Sequence, residues 1–128
     1  MNGFKTEEIE NILNYPVDAE DSQIPKEVFG IIYSLGRDAE NSEEYKYAYA
    51  ILLELCKRKN KRVRAYSILA LSLMAQSGIL QEEEVVPIIE KELRDTDDWS
   101  REHIRNAIDD LRMTLGWRIR ERGEYEEL

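Results

Sequence analysis

Two stretches of this chain can be laid over one another at an offset of 37 residues, Asn60 onto Asp97. In the first, Asn60 is followed by Arg64, Ala70 and Leu71; in the second, Asp97 is followed by Arg101, Ala107 and Ile108. Each match has a physical reason. Asn or Asp caps a helix N-terminus by accepting from its unpaired N–H groups. Alanine at a helix contact lets neighbouring axes approach closely. An arginine four residues after the cap can reach acidic groups in the adjoining inter-helix turn. A two-helix period of about 30 to 50 residues marks a stack of helical hairpins.

The rest of the chain agrees with helix. Apolar residues recur every three or four positions, and only three prolines and six glycines interrupt them. Six helices are predicted. The first, over about 6–14, has a thin apolar face and reads as a cap spanning 1–16. The second opens with Pro25 as first helical residue and carries the stripe Val28, Ile31, Ile32 and Leu35. The third follows Ser42 as N-cap, turns Tyr45, Ala48, Ile51, Leu52, Leu55 and Cys56 inward, and ends in Lys57, Arg58 and Lys59. The fourth, 61–76, is apolar almost all round, as a central buried helix should be, with Gly78 as its stop. The fifth, about 82–94, opens with three glutamates and packs Val85, Val86, Ile88, Ile89 and Leu93 inward. The sixth is one long helix over about 98–120, with Ile104, Ala107, Ile108, Leu111 and Leu115 as its stripe. The acidic tail, 123–128, is expected to fray. The whole chain, 1–128, reads as one domain.

At 42% apolar residues the chain is too hydrophobic for a disordered one, and at a formal charge of −9 it is too acidic for a general nucleic-acid binder. One cysteine, Cys56, excludes an internal disulfide and is expected to be buried. No apolar run approaches the roughly 20 residues that span a bilayer. The N-terminal residues carry Lys5, Glu7, Glu8 and Glu10 rather than the apolar core of a signal peptide. A cytoplasmic location is expected.

The passage from Val85 through Leu93, followed by Asp97 and Arg101, resembles a HEAT repeat running into the next, and the resemblance covers about 60–115. It implies an all-α fold: a short right-handed stack of antiparallel helical hairpins, a HEAT/ARM-like superhelix of about six helices. Projected back by one period, Glu27 falls where arginine belongs and Tyr33 where alanine belongs. The hairpin 25–59 is therefore degenerate or a different helical pair, and an irregular α-helical bundle is the rival architecture.

Chemistry is sparse. The single histidine, His103, has no second histidine or cysteine at ligand spacing, so neither a metal nor a cofactor is expected. It reads as a surface or partly buried helical residue. Acidic pairs such as Glu82-Glu83 and Asp109-Asp110 suit helix termini and solvation better than catalysis. No enzyme is expected. Stacked hairpins offer a groove and usually act by binding. By its size and charge the chain resembles bacterial immunity proteins, which neutralise a cognate toxin, often a basic nuclease. That resemblance implies occlusion of a basic partner by an acidic groove from the third, fifth and sixth helices. The candidate surface is Tyr47, Glu54, Glu83, Glu90, Asp97, Asp98 and Trp99, with exposed aromatics ringed by acids as a hot spot. A scaffold or assembly role through Leu115, Trp117 and Ile119 is the alternative, the chain being a monomer or weak homodimer. Nucleic-acid binding through Lys57, Arg58, Lys61 and Arg62 ranks below both.

Overall fold

The computed structural model of the chain describes residues 24–95 and 98–120. Among them are six α-helices and no strand: α1 (Lys26–Asp38), α2 (Ser42–Leu55), α3 (Lys61–Leu73), α4 (Glu82–Asp95), α5 (Asp98–His103) and α6 (Arg105–Leu115). The fold is all-α. The predicted helix over 6–14, the cap to residue 16 and the tail over 123–128 lie outside the described residues.

Helix α3 is the centre, as its apolar sequence requires. It packs against α1, α2, α5 and α6. Ile68, Ala70 and Leu71 have no exposed surface, and neither do Leu52 and Leu55 of α2 or Ile104, Ala107 and Ile108 of the last segment. Each large apolar side chain buried this fully contributes about 1.5–3 kcal/mol. The two repeat segments also match in burial: Val63, Ser67, Ala70 and Leu71 against Ser100, Ile104, Ala107 and Ile108, all fully buried.

Helices α1 and α3 cross in close backbone contact at Gly36. A Cβ on Gly36 would lie 2.0 Å from the carbonyl oxygen of Ala70. Only glycine permits this crossing. It sits one helical turn beyond Tyr33, the position that the repeat period would assign to the small residue.

Local signals set the helix ends. The Asn60 side chain accepts from the N–H of Arg62 and of Val63, at 2.9 and 3.1 Å, as its cap role requires. Asn41, rather than Ser42, caps α2 by accepting from Glu44 N–H at 3.0 Å, and the Glu44 carboxylate in turn accepts from Glu40 N–H at 2.8 Å. Pro25 lies just outside α1 instead of inside it. Helix α2 stops at Leu55, so Lys57, Arg58 and Lys59 belong to the turn before α3. A single 3₁₀ turn (Ala75–Ser77) follows α3, and Gly78 at φ 79° ends it in the left-handed conformation.

The expected single helix over 98–120 is two helices and a strap. At Ile104 the backbone opens to φ −99° and ψ 5°, although the bonds Ile104 N–H to Ser100 C=O and Ile108 N–H to Ile104 C=O, each 3.0 Å, carry the helical path through. The imidazole Nδ1 of His103 lies 2.7 Å from the Trp99 carbonyl oxygen and competes for that helical acceptor. Gly116, at φ 67°, then ends α6. The chain turns back, buries Ile119, and is held by Arg112 donating to the Ile119 carbonyl.

Candidate docking groove

Where the α2–α3 turn faces α4, the surface opens into a groove of about 560 Å³. Its floor is apolar, from Cys56, Pro87 and Ile88. Among the described residues five cations line it, namely Lys57, Arg58, Lys59, Arg64 and Lys91, against one carboxylate, Glu92.

The sequence builds this groove from two local patterns. The turn brings three consecutive cations past the end of α2, where they oppose the negative pole of that helix. On α4, Val85, Ile89 and Leu93 form the buried stripe, so Pro87, Ile88 and Lys91 are carried round to another face. Ile88 and Val86, expected inward, are only half-buried.

Arg64 ties the two walls together. Its Nε donates to Glu92 Oε1 at 2.7 Å and its Nη2 to Oε2 at 3.3 Å, a bidentate pair between α3 and α4. Its Nη1 donates to the carbonyl oxygens of Arg58 and Lys59, at 2.9 and 2.6 Å. The repeat arginine therefore satisfies the turn through backbone carbonyls and reaches an acid on the next helix. Its counterpart Arg101 meets Asp98 at 3.5 Å. The turn before it, residues 96–97, lies outside the described residues.

Cys56 is buried, and burial pushes its thiol well above the ordinary range, with the Glu92 charge adding to the shift. It stays a protonated, inert thiol. Tyr49 links α2 to the start of α4: its hydroxyl donates to Glu84 Oε1 at 2.8 Å and accepts from Gln81 N–H at 3.2 Å. Burial, then the neighbouring Glu84, raise its pKa to about 12, against the opposing Gln81 bond.

The predicted acidic surface does not line this groove. Glu90 is buried, accepting from the Arg120 backbone N–H at 2.8 Å and from its Nε at 3.3 Å, so it anchors the C-terminal strap instead of facing a partner. Asp97 lies outside the described residues. Tyr47 is half-buried against the core. Glu54 is exposed, 3.5 Å from Arg58. Glu83 is exposed at the start of α4, and Asp98 is exposed at the start of α5. Trp99 stacks on His103 with ring centroids 3.9 Å apart, and Lys61 Nζ lies 4.9 Å from its ring. The described residues that line the concavity beside the third and fifth predicted helices are mainly cations.

The alternative basic patch divides. Lys57 and Arg58 line the groove, whereas Lys61 lies over Trp99 and Arg62 lies 4.7 Å from the Phe29 ring. Of the surface proposed for self-association, Ile119 is buried, and Leu115 and Trp117 pack partly against the core. The sequence reading missed Lys91, Pro87 and Ile88 as one surface. The signal was present in their three- and four-residue spacing, offset from the core stripe.

Among the described residues no cluster of His, Cys, Asp or Glu could hold a metal ion, and no helix is long and apolar enough to cross a membrane. No protein-family model, curated protein or solved structure matches this chain.

Proposed function

We propose that this chain acts by binding another protein, with the groove between the α2–α3 turn and α4 as its docking surface, and that it carries out no reaction of its own. The groove is the observation behind this reading: an open concavity with an apolar floor and, among the described residues, five lining cations, in a chain of net charge −9. Helix α3 packs against α1, α5 and α6, and we read this packing as a HEAT-like stack, a scaffold that works through concave surfaces. The buried Cys56 thiol is unsuited to nucleophilic attack, and His103 lines no part of the groove.

A second reading keeps the immunity-type inhibitor of a basic toxin. It draws on Glu82, Glu83 and Glu84, exposed side by side at the start of α4, with Glu84 held by the Tyr49 hydroxyl. Site-specific photo-crosslinking separates the two. A crosslinker at Ile88 in the groove should capture a partner in the source cell. Capture from Glu83 alone would favour the acidic ridge. Equal capture from Asn106, an exposed α6 residue that does not line the groove, would overturn both.

A further inference from the structure

We infer that the groove takes a short acidic segment of a partner protein, one that carries carboxylates on either side of an apolar anchor. The inference rests on the docking reading above and adds the chemistry of the occupant.

The groove needs two things from its ligand. Its floor, built from Pro87, Ile88 and the buried Cys56, offers apolar surface, and an apolar side chain seated there is driven by removal of that surface from water. Its rim carries Lys57 and Lys91, both exposed, on opposite walls. Glu92, the one carboxylate among the described lining residues, is already held by the bidentate Arg64 pair. A ligand therefore meets positive potential around an apolar centre. The Arg64 bonds to both walls hold that arrangement before a ligand arrives, which reduces the ordering cost of binding.

Nucleic acid satisfies only half of this pattern. Among the described residues no aromatic side chain lines the groove, so those residues offer bases nothing to stack on. Two of the nearby cations, Lys61 and Arg62, lie over the Trp99 and Phe29 rings outside it. A long polyanion would also meet the repulsion of a chain with net charge −9, whereas a short peptide feels mainly the local cations.

Fluorescence anisotropy with the full-length chain tests this. The probes are a labelled peptide of glutamates flanking a central leucine, the same peptide with serine for leucine, and a labelled single-stranded oligonucleotide. The leucine peptide should bind, weaken as salt is raised, and lose roughly tenfold or more in affinity in K57E/K91E. The serine peptide should bind more weakly than the leucine one, and Ile88→Ser should abolish that difference. Tighter binding of the oligonucleotide than of the leucine peptide, or peptide binding indifferent to K57E/K91E, overturns the inference. If none of the probes binds while Ile88 still crosslinks to a protein partner, the assigned chemistry fails and the docking reading stands. Loss of crosslinking at Ile88 as well removes both.

Discussion

Gly36 of α1 lies directly against the backbone of Ala70 in α3, so close that a Cβ there would fall 2.0 Å from the Ala70 carbonyl oxygen and 2.7 Å from its carbonyl carbon. The obstacle is backbone, which cannot swing aside. Gly36→Ala should therefore cost about 3 kcal/mol or more by forcing α1 away from α3. Gly30, on the same helix, meets nothing within 4 Å. Gly30→Ala should stabilise by about 0.5–1 kcal/mol through helix propensity. Urea unfolding of both variants checks the contrast, and equal effects would refute the close crossing.

The Arg64–Glu92 pair joins α3 to α4 in a largely buried setting, with side-chain exposures of 20% and 5%. Arg64→Leu removes the bidentate partner of a buried carboxylate and should destabilise by about 3–5 kcal/mol. Adding Glu92→Leu should restore much of that loss, because the buried charge is gone. A double-mutant cycle on urea midpoints measures the coupling, and additive effects would contradict the geometry.

Tyr49 supplies a pH dependence with a defined sign. Its pKa of about 12 lies above the ordinary value of 10.0, because burial disfavours the phenolate. The folded state thus holds this proton after the unfolded state has lost it. Its contribution to stability is fully present below pH 10.0 and is lost as pH rises through about 12. The chain has seven tyrosines, so the difference between the parent and Tyr49→Phe isolates this one. In Tyr49→Phe, alkaline unfolding should start later relative to its own neutral-pH stability, and a phenolate titrating near 12 should be missing from a spectrophotometric titration.

Cys56 should resist modification by an aromatic disulfide reagent at neutral pH, since the thiol is both buried and held protonated. Reaction should appear only with denaturant, in step with global unfolding. Fast labelling of the native chain would show that the groove floor opens.

Asn60 accepts from two N–H groups at the start of α3, and Asn60→Ala should cost about 1 kcal/mol, read as a fall in the urea midpoint with unchanged slope.

Local chemistry made much of this fold legible. The Asn60 cap, the left-handed turn at Gly78 and the all-round apolar character of α3 follow from residues within a few positions of one another. In the last helix nearby signals compete. Its apolar stripe runs on past Ile104, but the His103 imidazole competes for a helical carbonyl, and Gly116 supplies a left-handed exit.

Periodicity and capping act within one or two turns of chain, and they suffice for the helical class, the central helix and the burial of Cys56. Which charges face outward and which are spent inside depends on contacts between distant segments. Glu90 looked like a surface acid until Arg120, thirty residues on, closed over it; Lys91 looked like one cation among 18 Lys and Arg residues until the α2–α3 turn faced it across a groove. A charge acts through what lies within a few ångströms of it, and those neighbours come from distant parts of the chain.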